Sequence, residues 1–364
     1  MIPKTMTAVL LTHHGGLDAL AYRDDVPVPV PGPGEVLINV AAAGVNNTDI
    51  NTRTAWYSKK VTEGTNTGGA GGFGEAEDAD ATWSGVPMTF PRIQGADVCG
   101  AIVSVGEGVD ASRVGQRVLV RNMLRTYVDY RPYECWTLGS ECDAGFAQFC
   151  VAPARETHAI DCGWTDAELA SVPCAYSTAE NMLHRASVSA ERVLITGASG
   201  GVGSAAVQLA KRRGADVNAI CSSSKAEEVL GLGADRVIDR NADLLAEVGE
   251  KNIDVVIDLV AGDSWPHYLE VLTLGGRYAT VGAIAGPISE IDVRTLYLKD
   301  LTLFGCTFQE DIVFENLVGY IERGEIRPFV SKTYPLSEIA HAQEDFLAKT
   351  YPGKLVLLPP AVTL

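Results

Sequence analysis

"LITGASGGVGSAAVQLAKRRGADVNAICSSSK", residues 194–225, runs an apolar strand into a glycine-rich bend and out along a helical pattern. The bend, Gly197-Ala-Ser-Gly-Gly-Val-Gly203, directly follows the strand and opens the helix, which is the context a dinucleotide-binding fingerprint requires. Gly200 would let the backbone approach a pyrophosphate, and Gly203 would let the helix lie close to the strand. Gly201 and Val202 begin the helix whose free N–H groups would receive the pyrophosphate charge. Ala198 stands where the usual pattern has its first glycine, tolerable if that turn needs no positive φ. A tight strand–helix turn without a ligand is the bland alternative, and the repeated strand–helix units around the loop argue against it.

Those units continue downstream. "DVNAIC", "DRVID", "DVVIDLV" and "GRYATVG" read as strands, with helical stretches starting near Gly201, Lys225 and Ser264. Nearly continuous apolar strands alternating with helices imply a parallel sheet covered on both faces. The second strand ends in "SSSK". A cofactor with a free ribose diol is usually met at this place by Asp or Glu; here stand Ser222, Ser223, Ser224 and Lys225. Hydroxyl donors and one cation suit a 2′-phosphate, so NADP(H) is favoured over NAD(H), although a serine here could also cap the next helix.

Upstream, the first ~155 residues are rich in Val, Gly and Pro. "EVLINVAAAGV" (35–45), "CGAIVSVG" (99–106) and "QRVLVRN" (116–122) read as strands of a compact β domain. Val61 to Phe90 has no Lys or Arg, seven Gly and five acidic residues, and reads as an exposed, mobile loop, with a lid as the functional alternative. "TDAELASVPCAYSTAENMLHRAS" has helical spacing, with Thr165 as its N-cap. The closing "GKLVLLP" is a strand that could return to the first domain. At 364 residues the chain has room for two domains, and it has no apolar run of membrane-spanning length. Its N-terminus does not read as a signal peptide, so a cytoplasmic protein with its eight cysteines reduced is expected. The formal charge of −17 argues against nucleic acid as a partner and requires an anionic cofactor to be held by local donors.

Together, "PGPGEVLINVAAAGVNNTDINTR" (31–53), "PRIQGADVCGAIVSVGEGV" (91–109), "GFAQFCVAP" (145–153), the cofactor loop and "LKDLTLFGC" (298–306) resemble the medium-chain dehydrogenase/reductase superfamily. The resemblance spans nearly the whole chain. It implies an α/β protein with a GroES-like β-barrel domain over residues 1–160, a Rossmann doubly wound parallel-sheet domain over 161–310, and a return to the first domain over 311–364. It also implies hydride transfer to a small-molecule substrate in the cleft between the domains. Thr178 and Gly282 would lie against the nicotinamide, and the sheet edge containing "LTLFGC" would pair two subunits into a homodimer.

Many members of this superfamily carry zinc, but the ligand positions here are occupied differently. Asn46 in "GVNNTD" aligns with the first ligand, a cysteine, and Ala96 in "GAD" with the second, a histidine; only Cys174 in "PCAYST" is kept. Catalytic zinc takes about three ligands from Cys, His and carboxylate, so no metal is expected. The interval that would hold a structural zinc has only Cys135 and Cys142. What remains resembles the zinc-free quinone oxidoreductase, zeta-crystallin-like branch. Without a Lewis acid, an acceptor that spreads the incoming negative charge is favoured, which points to NADPH-dependent reduction of a conjugated enone or quinone. Asn46 and Tyr57 are candidate hydrogen-bond donors, with Asp49 organising them. The alternatives are a zinc-type alcohol dehydrogenase with substituted ligands and a non-catalytic NADPH-binding protein.

Overall fold

In the computed structural model, which describes residues 1–363, the chain divides into two compact units. Met1–Val61, Thr67–Cys174 and the chain from Val318 onward form the first; Thr62–Asn66 and Ala175–Leu317 form the second.

The first unit is built around one long strand. β1 (Thr5–Leu11) pairs antiparallel with β2 (Leu20–Pro27), and β3 (Glu35–Gly44) is the hub of the main sheet. Its alternation sends side chains to two cores, as a pleated strand must. Val36, Ile38 and Val40 join Val98, Ile102 and Val118, while Leu37 and Ala43 join Met6, Phe146, Phe149 and Leu357. β3 pairs antiparallel with β4 (Cys99–Val105), which pairs with β5 (Arg117–Val120). A short ribbon, β6 (Met123–Leu124) with β7 (Trp136–Thr137), precedes β8 (Phe149–Pro153) and β9 (Thr157–Ala159), which complete this side of the sheet. The interval that could have held a structural zinc is organised by carboxylates. Glu156, fully buried, pairs with Arg121 at 2.5 Å and accepts the Arg125 and Thr126 N–H groups. Glu141 accepts from Thr137 N–H and from Ser84.

The second unit is a six-stranded parallel sheet. Its strands are β10 (Arg192–Ile195), β11 (Asp216–Cys221), β12 (Arg236–Asp239), β13 (Ile253–Asp258), β14 (Leu272–Thr280) and β15 (Thr302–Gly305). They lie in the order β12-β11-β10-β13-β14-β15. This is the doubly wound Rossmann order, in which the winding reverses beside the first strand and leaves a crevice at the strand ends. The chain then returns to the first unit. β16 (Val330–Pro335) lies parallel to β17 (Lys354–Leu358), and β17 pairs antiparallel with the end of β3, Leu357 opposite Ala43.

The structure differs from the sequence reading in three places. The first unit extends to Cys174, past residue 160, because Arg117 binds Asp166 and the carbonyls of Cys162 and Trp164 and so ties that stretch to β5. The later boundary likewise falls after Leu317. The single helix read from 165 onward is two. Thr165 and Glu168 form a reciprocal capping box on the first, Asp166–Leu169, and Pro173, which suits a first turn, opens the second, Pro173–Arg185. Nor is the 61–90 stretch simply exposed. Val61, Thr65, Ala81 and Thr82 are buried, and the fully buried Arg53 donates to Gly69 O at 2.5 Å, Gly15 O at 2.7 Å and Gln343 Oε1 at 2.9 Å. Earlier in the same stretch, Gly64 packs so tightly that a Cβ there would stand 2.4 Å from Ile284 O. Among the described residues no helix is long and apolar enough to cross a membrane.

Arg53→Met keeps the aliphatic stem but leaves three acceptors unmatched, two of them buried. It should lower unfolding free energy by about 3 kcal/mol in urea titration; an unchanged midpoint would show that Arg53 does not anchor the insertion.

Candidate active site

In the first unit, one of the candidate catalytic residues, Asn46, meets a buried cation. Lys354 opens β17 and is 2% exposed. Its ammonium donates to Asn46 Oδ1 at 2.5 Å, Asp97 Oδ2 at 2.9 Å and Val45 O at 3.1 Å. All three donors are thereby matched, as a buried ammonium requires. Asp97 is fully buried; its other oxygen accepts Cys174 N–H at 2.6 Å. Asn46 donates its amide N–H to Asp97 at 2.8 Å, so both ends of this side chain are held inside the cluster.

Asp49 sits one turn into the helix Asn47–Arg53. It accepts Asn46 N–H at 2.8 Å and the N–H groups of Gly95 and Ala96 at 3.2 Å each, pinning the helix start to the 94–96 segment. Burial pushes its carboxyl up to about 7; the N–H donors oppose that shift and the neighbouring Asp97 charge adds to it. Tyr57 lies beyond the helix end, and its O–H donates to Thr48 Oγ1 at 3.3 Å. Burial raises its pKa well above the usual phenol range, so it remains a hydrogen-bond donor. Thr48 also accepts the indole N–H of Trp83 at 2.6 Å. Sequence reading missed Lys354, Thr48 and Trp83. Lys354 lies 257 to 309 residues from its partners, and nothing local marks the other two.

In the second unit, the glycine loop joins β10 to the helix Gly201–Arg212. At Gly203 a Cβ would meet Gly197 O at 2.2 Å, so helix and strand touch only because it is absent. At Gly200 the nearest atom to such a Cβ is 3.5 Å away, so the close approach there is left to something outside the protein. Ala198 is buried and donates its N–H to Ile220 O at 3.0 Å; its φ is not positive. Val202 lies in the first turn of the helix, with Thr178 on the helix Pro173–Arg185 and Gly282 just past β14. The turn after β13 is set by Asp258, fully buried, which accepts Thr196 Oγ1–H and Tyr278 O–H at 2.5 Å each and the N–H groups of Val260 and Ala261.

The end of β11 is more intricate than the serine run suggests. Ser223 gives both its N–H and its hydroxyl to Asp239, the last residue of the adjacent β12, and the hydroxyl's bond holds that carboxyl down at about 2. Ser222 and Ser224 bridge each other at 3.0 Å. Lys225 is half-buried, and its pKa is lowered by burial and then by a second cation, Arg240, whose N–H donates to Cys221 O. A free helix start, a cradle open at Gly200 and two cations at the end of β11 fit a phosphorylated dinucleotide.

Two family models match the chain: "Alcohol dehydrogenase GroES-like domain" over residues 32–161 and "Zinc-binding dehydrogenase" over 201–323. Quinone oxidoreductase from Lama guanicoe is 31% identical over 370 residues, with 98% of each chain covered, and that of Homo sapiens is 30% identical over the same share. Acryloyl-coenzyme A reductase from Metallosphaera sedula is 28% identical and covers 97% of this chain and 99% of its own. The chain belongs to the medium-chain dehydrogenase/reductase superfamily, in its quinone oxidoreductase-like branch. Among solved structures, a Sinorhizobium meliloti 1021 protein provisionally called an alcohol dehydrogenase is 45% identical, with a TM-score of 0.87 over 99% of this chain and 98% of its own. A thermostable alcohol dehydrogenase from Pyrobaculum aerophilum is 30% identical, with a TM-score of 0.81 over 98% of this chain and all of its own. The chain is thus an oxidoreductase of this superfamily, whose cofactor is NAD(P), acting on a small molecule.

One matching model is named for zinc, over residues 201–323; the residues that the family resemblance sets at the metal-ligand positions lie outside that span and do not fit a metal. Asn46 is turned inward, Ala96 offers a methyl, and Asp97 already carries the Lys354 ammonium. Among the described residues no three His, Cys, Asp or Glu side chains group as a metal site would need.

The Asp49 carboxyl gives a pH test. Its pKa is higher folded than unfolded, so the native state binds the extra proton, and stability should fall as pH rises from about 4 through about 7. Asp49→Asn should flatten that part of the stability–pH curve in urea titrations; an unchanged slope would reject the assignment.

Proposed function

We propose that this chain is an NADPH-dependent oxidoreductase that reduces a conjugated enone or quinone without a catalytic metal. The observation that carries the reading is the cluster around Lys354, in which the Asn46 amide is turned inward onto Asp97 and the Asp97 carboxylate is taken by an ammonium. When bound, the dihydronicotinamide supplies a hydride to the acceptor carbon. The electron pair displaced onto the acceptor oxygen must then be met by neutral hydrogen-bond donors, which suits an acceptor that delocalises the charge. Thr48, with two donors aimed at its oxygen, has its own hydrogen left to give, and Tyr57 supports it. Asn46 and Asp49 act as positioning residues that hold the start of the helix carrying Thr48. Ala198, Gly200, Gly201, Val202 and Gly203 would hold the pyrophosphate, and Thr178 and Gly282 the nicotinamide.

For the cofactor, Ser222, Ser224, Lys225 and Arg240 supply hydroxyls and two cations for a 2′-phosphate. Asp239 favours a second reading, since a carboxylate near this place could accept from the ribose diol of NADH. Lys225→Ala should weaken NADPH binding about tenfold by fluorescence titration and leave NADH unchanged, as loss of one charge-assisted phosphate contact would. Tighter binding of NADH by the unaltered protein would establish the second reading.

The acceptor is tested by following NADPH oxidation with 1,4-naphthoquinone, 4-phenylbut-3-en-2-one and benzaldehyde. The first two should turn over and benzaldehyde should not. Thr48→Val should lower kcat about 100-fold, the usual effect of removing an oxyanion donor. Preferential turnover of the aldehyde would overturn the reading, and cofactor binding without turnover would favour a non-catalytic protein.

A cytoplasmic homodimer completes the proposal. All eight cysteines are free thiols, which suits a reducing compartment. β15 is an edge strand, and Leu274, Tyr297, Leu298 and Leu303 are exposed on or near it. Pairing of this edge with a second copy would satisfy its backbone and cover those side chains. Light scattering should give twice the chain mass, falling to the chain mass in Leu303→Lys; a monomeric unaltered protein would exclude the pairing.

A further inference from the structure

The 61–90 insertion stands outside the reading above, yet its last third is fixed against a residue that reading uses. Trp83 donates its indole N–H to Thr48 Oγ1 at 2.6 Å, and its ring lies 5.0 Å from that of Tyr57 at an angle of 44°. Trp56 extends the cluster, meeting Tyr57 edge-on at 5.7 Å. All three aromatic residues are half-buried, so part of each is accessible.

The turn that presents Trp83 is held at several points. Thr82 Oγ1 donates to Val86 O at 2.7 Å and accepts Val86 N–H at 3.1 Å, closing the turn on itself. Trp83 N–H donates to Ser140 Oγ at 3.3 Å, and Ser84 gives both its N–H and its hydroxyl to Glu141. Glu141 in turn accepts Thr137 N–H at 2.8 Å. The indole is therefore placed by a carboxylate-anchored loop, beyond the packing of its own ring.

The hydrogen-bond roles follow from the groups themselves. An indole can only donate, and the Tyr57 hydroxyl also donates to Thr48. Two donors occupy the two lone pairs of Thr48 Oγ1, so its hydrogen must point elsewhere, and no acceptor within the described residues takes it. A hydroxyl that accepts two hydrogen bonds is polarised and becomes a stronger donor.

We propose that Trp83 is the specificity-determining residue of the acceptor site: its N–H fixes Thr48 as a donor, and its ring, with Tyr57, forms a wall for a flat, conjugated aromatic acceptor. The acidic insertion then exists to deliver this residue. The inference rests on reading the Thr48 cluster as the acceptor site, and it separates the two properties of the indole.

Two variants test it in the full-length protein loaded with NADP+. Trp83→Phe keeps a ring and removes the N–H; Trp83→Leu keeps apolar bulk and removes the ring. The redox-inert probe 1-naphthol, titrated by calorimetry, should bind Trp83→Phe within about twofold of the unaltered protein and Trp83→Leu about tenfold more weakly, the size expected for one aromatic contact. With 1,4-naphthoquinone, Trp83→Phe should lower kcat about tenfold with KM within twofold, and its thermal midpoint should stay unchanged. Equal binding of 1-naphthol by Trp83→Leu, or none by the unaltered protein, overturns the proposal. An unchanged kcat in Trp83→Phe overturns the role of the N–H. If the binding results hold and no acceptor is turned over, hydride transfer is the part that fails, and the aromatic site stands.

Discussion

An ammonium ion removed from water has to be met by fixed oxygens, and Lys354 is met by three, two from the adjacent Val45 and Asn46 and one from Asp97. Its pairing with Asp97 is the constraint on which the rest of the candidate site depends. Asp97 reaches on to the N–H of Cys174, and Asn46 is clamped between the carboxylate and the ammonium. Remove the cation and Asp97 becomes an uncompensated buried charge, a loss of about 3–5 kcal/mol in such pairs. Because the cluster holds the Asn46 amide, the proposed donor role falls to Thr48, two residues along.

The dinucleotide half works by the opposite means. It offers an open helix start, a missing side chain at Gly200 and a turn fixed by Asp258. A chain of net charge −17 can hold an anion this way because aligned backbone dipoles act over one turn, while distant carboxylates are screened. The two cations near the end of β11 are the exception, and they stand beside a carboxylate, Asp239, that stays ionised.

Much of this was legible in the chain. The glycine bend and the alternation of strands and helices follow from local pattern, because each is a property of neighbours in sequence, whereas the return of "GKLVLLP" to the first unit came with the family resemblance and its pairing with β3 was not readable. The helix break at Pro173 was legible too and was read through, since apolar spacing persists across it. Lys354, Thr48 and Trp83 were not legible. A lysine in a terminal strand looks like a solvated charge until long-range pairing buries it, and a tryptophan in a Gly-rich acidic stretch carries no period to mark its partner. The same composition made 61–90 look exposed, although a single buried arginine outside it holds part of the stretch down.

The ammonium at the centre of the first unit belongs to residue 354 of a 364-residue chain. On a ribosome, synthesis would bring the second unit out essentially whole while the first still lacked β16 and β17. Until then Asp97 has no counterion, and the end of β3 has no partner along the register that β17 later fills. The nucleotide-binding half can therefore mature before its counterpart, whose interior charges balance only once β17 has been made.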